Sequence, residues 1–280
     1  MESATANAGN AGDPAAVAER VSVEIADHVA EVRLTRPDKH NGLDYPMFEA
    51  INAAVTEVGA DPSVRAVVLS GEGKSFCAGL DFMSVMAEGR PIEDSFVKRE
   101  GEIANDFQRV AYGWQALPVP VIAALQGNVL GGGAQIALAA DIRFAAHDLR
   151  FSILEIKWGL IPDMGLTQSL PRLVGADRAK ELTWTGRKLD AEQAKELGLV
   201  TEIADDPLAA ARALAAEIAT KSPDAIRRGK HLLEQTWNAP APEALALEEK
   251  LQRELLGSPN QIKAVQAGMS GEPADYDDAS

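Results

Sequence analysis

The run Val121-Ile122-Ala123-Ala124-Leu125-Gln126-Gly127-Asn128-Val129-Leu130-Gly131-Gly132-Gly133-Ala134-Gln135 decides the fold. It opens with an uninterrupted apolar stretch, Val121 to Leu125, the pattern of a strand buried on both faces. Gln126-Gly127 ends that strand, and the glycines that follow open a helical segment, Gly132 to Ala140. A strand that turns through glycine into a helix is the unit of a parallel α/β fold with right-handed crossovers. Asp141 to Ala145 returns as the next strand.

The same alternation extends upstream. Val21 to Ile25 and Val29 to Leu34 flank Ala26-Asp27-His28 and read as a hairpin. Tyr45 to Val58 carries Phe48, Ile51, Ala54, Val55 and Val58 at helical spacing, and Ala66 to Ser70 is a buried strand ending in Gly71-Glu72-Gly73. Beyond about Asp163 the pattern is helical: Ala176 to Thr183, Ala191 to Glu196, Pro207 to Lys221, Pro223 to Trp237 and Pro242 to Leu256. The reading is therefore a disordered tail over 1–18, a βα core over 19–200, a helical region over 201–268 and an acidic tail over 269–280.

Composition narrows the function. With 27 Lys and Arg against 42 Asp and Glu the net charge is -15, which opposes nucleic acid as a partner. The single cysteine, Cys77, excludes an internal disulfide framework and a Cys-cluster metal site, and fits a reducing, cytoplasmic setting. Charged residues interrupt every apolar stretch long enough to span a bilayer, so no membrane role is expected. Cys77 reads as a small core residue, with no neighbouring histidine or basic run to activate it.

Two glycine segments invite nucleotide readings that fail on spacing. Gly73-Lys74-Ser75 ends like a P-loop, but Val68 stands where the first glycine belongs, and Val129 occupies the second glycine position of a dinucleotide fingerprint. What remains is main-chain chemistry. The turn at 127–133 can present N–H groups at the start of a helix, although alone it is equally a tight packing turn. Ser75-Phe76-Cys77-Ala78-Gly79-Leu80-Asp81, after the Ala66 strand, is a second place where small residues permit close approach and the Leu80 amide can face a cleft. Two such donors would hold a developing oxyanion, each worth about 3 kcal/mol of transition-state stabilisation.

Taken in order, these segments resemble the crotonase (enoyl-CoA hydratase/isomerase) superfamily. The resemblance runs from about Val21 to Leu256 through Arg36-Pro37, Asn41-Gly42-Leu43, Phe76 to Asp81, Gly127 to Gly133, Glu155, Gly159-Leu160-Ile161-Pro162 and Thr185-Gly186. It implies an α/β spiral of ββα repeats with a C-terminal helical trimerisation region, and a homotrimer or dimer of trimers. It also implies Leu80 and Gly132 amides as oxyanion donors to an acyl-CoA thioester, with coenzyme A arriving as part of the substrate and no separate cofactor or metal. Substrate contacts are implied at Lys39, His40, Gly42, Ala78, Gly79, Asp81, Phe82 and Gln135, with Arg36 and His40 able to join Lys39 in a local basic patch for the coenzyme phosphates.

Side chains choose the reaction. The family's hydratases carry two glutamates; Glu155 matches one, but Gln135 stands at the other, and an amide cannot exchange protons as a carboxylate does. Asp163, after Ile161-Pro162, resembles the second acid of dienoyl-CoA isomerases, which places Glu155 and Asp163 as the proton-moving pair. Read alone, Glu155 is a surface acid and Asp163 a helix cap or turn residue. The isomerase reading leads; enoyl-CoA hydration and non-catalytic CoA-thioester binding are its alternatives. Met83 and Met86 either line an acyl pocket or pack, and Trp114, Trp158 and Trp184 read as core or interface residues.

Overall fold

The strand pairing begins with a tight hairpin. In the computed structural model, which describes residues 14–98 and 100–279, β1 (Val21–Ala26) and β2 (Val29–Leu34) pair antiparallel with Ala26 opposite Val29. Asp27 and His28 fill the turn, both at positive φ, the geometry whose twist matches the flanking strands. Ala30, Val32 and Leu34 on alternate positions of β2 are fully buried. β3 (Ala66–Gly71), β4 (Val121–Leu125), β5 (Asn128–Leu130), β6 (Ile142–Ala145), β7 (Arg150–Ser152) and β8 (Glu202–Ile203) follow. The large sheet has the order β1-β2-β3-β4-β6-β8, parallel after the hairpin, and β3 and β4 are buried at every position.

A second, smaller layer is made of what each repeat does next. β5 pairs with β7, and single bridges join Leu43 to Leu80, Cys77 to Val129 and Phe151 to Leu189. Successive turns of chain thus leave one strand in the large sheet and one extended segment in the small one, the ββα spiral that the family resemblance implies. The helices are α1 (Pro14–Ala18), α2 (Tyr45–Ala60), α3 (Phe82–Glu88), α4 (Asp106–Ala116), α5 (Gly132–Leu138), α6 (Leu166–Val174), α7 (Ala176–Thr185), α8 (Ala191–Glu196), α9 (Pro207–Ala219), α10 (Pro223–Thr236), α11 (Ala241–Leu255) and α12 (Pro259–Ser270). The main core lies between the two layers around Trp114, Phe76 and Phe151, while Ala211 and Ala215 of α9 pack on Ala66, Val68, Ile122 and Ala124 across the sheet's other face.

Some segment boundaries read from the sequence need correction. Pro14–Ala18 is helical, and the rest of the expected 1–18 tail lies outside the described residues. The core does not stop at 200, because β8 joins β6 and α9 covers the sheet. Nor is the acidic end loose. Asn260, buried, donates to Asp277 O and accepts from Asp277 N, Lys263 pairs with the Asp277 carboxylate at 2.7 Å, and Arg65 donates to Tyr276 O. Among the described residues no helix is long and apolar enough to cross a membrane.

Glycines fix how closely the two layers meet. A Cβ on Gly127, at φ +54, would overlap Lys74 O, whereas one on Gly229 of α10 meets nothing within 4 Å. Gly127→Ala should therefore cost about 3 kcal/mol or more, and Gly229→Ala should stabilise by up to about 1 kcal/mol. Guanidinium unfolding midpoints of the two variants, compared with wild type, check this.

Candidate active site

The site is built where the two glycine segments cross. Leu43 spends its main-chain groups on Gly79 O and Asp81 N, each at 2.9 Å. In such a parallel bridge the intervening Leu80 N–H points the other way, and it has no acceptor among the described residues. Gly132 is the first residue of α5, so its N–H lacks an intrahelical partner, and no acceptor among the described residues takes it. The two amides are neighbours: a Cβ on Gly79 would lie 2.7 Å from Leu130 O and 3.5 Å from Gly132 N. Both Leu80 and Gly132 line one cavity of about 360 Å³.

Carboxyls enter the same cavity from the next repeat. Glu155 starts a 3-10 turn (Glu155–Trp158) and is only 9% exposed. Its Oε1 accepts from Gln135 Nε2 at 2.7 Å, while its buried Oε2 has no protein partner. Burial pushes the Glu155 carboxyl above the ordinary glutamate value; the Asp163 charge adds to this, and the Gln135 hydrogen bond opposes it. Asp163 also lines the cavity, on its solvent-open side, and crowding by the surrounding wall raises its carboxyl too. It does not cap α6, whose N-cap is Gly165 without a side-chain bond.

The remaining sequence candidates divide. Ala78, Gly79, Phe82 and Gln135 line the cavity. Gln135, however, is engaged at both ends, accepting from Met164 N at 2.9 Å while it donates to Glu155, so it contacts protein where a substrate group was expected. Asp81 and Gly42 do not line the cavity. Asp81 caps α3 through Ser84 N and pairs with Arg36 at 3.0 Å; despite the opposing effect of burial, the Ser84 and Arg36 contacts hold its carboxyl below the ordinary value. Gly42 gives its carbonyl to Arg36 Nη1. Arg36 is buried between Asp81 and Asp44 and is not a free phosphate ligand. Lys39 and His40 are exposed on the adjoining loop, which abuts the site where Ala78 N donates to His40 O.

The structure adds residues that the sequence reading passed over. Asn41, fully buried, donates to the carbonyls of Glu72, Ser75 and Phe76 and clamps its loop to the Leu80 segment. Lys157 follows Glu155 into the cavity wall, its adjacency to Glu155 the available signal, and Trp158, read from the sequence as a core or interface residue, instead lines the cavity half-exposed, its ring tilted against Phe82 with centroids 4.6 Å apart. Met83 and Met86 point away, 78% and 76% exposed, whereas Phe82 and Val85 of the same helix face in. Trp114 is core and Trp184 is exposed. Cys77 is buried, its thiol pushed up to about 12 by burial, which suits packing and not nucleophilic attack.

Two acceptor-free amides beside two perturbed carboxyls can polarise a carbonyl oxygen and move protons next to it. Comparison with known proteins identifies the family. The enoyl-CoA hydratase/isomerase family model matches residues 24–274. The mouse mitochondrial Delta(3,5)-Delta(2,4)-dienoyl-CoA isomerase is 34% identical over 250 residues, covering 86% of this chain and 76% of its own. Crystal structures of enoyl-CoA hydratases from Bacillus anthracis and Mycobacterium tuberculosis superpose with TM-scores of 0.83 and 0.82 at 31% and 30% identity, covering 92% of this chain and 98% and 99% of theirs. The chain belongs to the enoyl-CoA hydratase/isomerase family of enzymes, the crotonase superfamily. An acyl-CoA thioester is the substrate class consistent with that membership, and a non-catalytic binding role is not favoured.

A raised folded-state value means that Glu155 contributes most to stability when protonated, and that this contribution is lost as pH rises through its folded value. Glu155→Gln, which keeps the contact with Gln135, should therefore raise the thermal unfolding temperature at pH 8, with the gain shrinking towards pH 4. A gain of equal size at both pH values would contradict the assigned burial cost.

Proposed function

We propose that the enzyme shifts double bonds in an enoyl- or dienoyl-CoA, with Leu80 and Gly132 amides holding the thioester oxygen and Glu155 and Asp163 moving the protons. The observation that carries this reading is the pair of carboxyls, Glu155 and Asp163, on one cavity. For a 3,5-dienoyl thioester the sequence of steps balances without a co-reactant. One carboxylate removes a proton from C2, and the electron pair delocalises over the diene and onto the thioester oxygen, where the two amides meet the developing charge. The other carboxyl delivers a proton at C6, giving the 2,4-dienoyl product. The pair ends with its protons exchanged and is reset through solvent.

Separated environments support the division of labour. Glu155 is buried and Asp163 is open, so one can be protonated while the other is ionised. Since both values are raised, the acid limb of kcat/KM should lie above the ordinary carboxylate range. The apolar wall of Phe82, Trp158, Leu160 and Ile161 suits an acyl chain, and exposed Lys39 suits a coenzyme phosphate. Exposed Leu233, Trp237 and Leu245 on the C-terminal helical segment support assembly into trimers.

Turnover of 3,5-dienoyl-CoA in deuterated buffer tests the reading. It predicts 2,4-dienoyl product with deuterium at C6, and a loss of about 100-fold or more in kcat for both Glu155→Gln and Asp163→Asn. Rapid 3-hydroxyacyl formation from a 2-enoyl-CoA, insensitive to Asp163→Asn, would instead establish hydration.

A further inference from the structure

Gln135 is 1% exposed and sits one turn into α5, the helix whose first residue supplies the Gly132 amide. Its orientation follows from its partners. Met164 N–H can only donate, so the atom 2.9 Å from it is the amide oxygen, and the NH2 group must be the one that reaches Glu155 Oε1 at 2.7 Å. One side chain thus joins both carboxyl-bearing segments, Glu155 directly and Asp163 through the main chain of its neighbour Met164. Glu155 Oε2 is left buried and without a partner. An oxygen already accepting from Gln135 is a poor place for a proton, and Oε2 is the open one.

From this geometry we infer that Gln135 is a positioning residue for proton transfer: it assigns the exchangeable proton of Glu155 to Oε2 and holds the Asp163 segment in register with it. The inference deepens the isomerase reading and rests on it. Oxygen selection has a chemical consequence. With Oε1 tied back to α5, Glu155 delivers and accepts protons at one position in the cavity, and the carboxyl cannot rotate to present the other oxygen without breaking the bond to Gln135. A carboxylate at 135 would still accept from Met164 N–H but would repel an ionised Glu155. In its protonated form it would imitate the amide, its carbonyl accepting from Met164 and its hydroxyl donating to Glu155.

Few other groups share this field. The charged side chains lining the cavity from the packed elements are Glu155, Lys157 and Asp163, and Lys157 Nζ lies over the Trp158 ring, 4.8 Å from its centroid. Behind α5, the Cys77 thiol, at about 12, does not titrate in the working range.

The test is the pH profile of kcat and KM for 3,5-dienoyl-CoA in Gln135→Glu and the near-isosteric Gln135→Met, each checked for folding by circular dichroism and thermal unfolding. For Q135M we expect kcat down about 10-fold or more with KM within about 3-fold. Its Glu155-dependent limb should move to higher pH, because the hydrogen bond that lowered that value is gone. For Q135E we expect near wild-type kcat at the acid end and an additional fall as pH rises that the wild-type profile lacks. Profiles that keep the wild-type shape and change only in height, in both folded variants, would overturn the positioning role. Wild-type protein that leaves 3,5-dienoyl-CoA unchanged would instead overturn the isomerase reading, and the same variants would then be profiled on hydration of a 2-enoyl-CoA, where an unmoved Glu155 limb again overturns the role of Gln135.

Discussion

Close contact between two stretches of main chain is the constraint on which the rest depends. Gly127 lies against Lys74 O, Gly133 against Cys77 O and Gly79 against Leu130 O, and at each of these places a Cβ would displace backbone. Because nothing larger than hydrogen fits, the segment 75–81 and the turn 127–133 meet at main-chain distance, bridged between Cys77 and Val129. That contact sets Leu80 N–H and Gly132 N–H side by side on a cavity, each denied an acceptor by its own local hydrogen bonding. Backbone donors fixed this way would need no reorganisation if charge developed on a bound oxygen.

The helix that follows joins that donor pair to the carboxyls. α5 begins at Gly132 and reaches Gln135 within one turn, so the helix that presents an amide also grips Glu155. The chain after β7 supplies Glu155 and, past the Gly159 turn, Asp163. Burial that raises a carboxyl weakens the fold once the group ionises, and the dense core around Trp114 and Phe151 offsets that cost.

The sequence made much of this legible, for physical reasons that differ by element. β3 and β4 are continuous apolar runs, and the Asp27-His28 turn sits between alternating strands, so all were readable. β5 and β7 are too short to show a period, and they hold their place by pairing with each other. α6 contains Pro171 and so reads as a break, while α4 announces itself only through the Asn105 and Gln108 capping box. At the site, the order of motifs pointed to Leu80, Gly132, Glu155 and Asp163, which line one cavity. The family resemblance implied substrate contacts at Arg36 and Asp81; their mutual pairing across 45 positions is a tertiary fact that no local pattern carries. The double engagement of Gln135 is of the same kind.

The claim beneath all of this is that both amides grip one acyl oxygen. Isotope-edited infrared difference spectroscopy of an acyl-CoA labelled with carbon-13 at the thioester carbonyl reads that grip directly. The account predicts a bound carbonyl band displaced to lower frequency than in water, and sharpened by a single geometry. A bound band at or above its aqueous position would mean that Leu80 and Gly132 do not meet the carbonyl, and the account would fail.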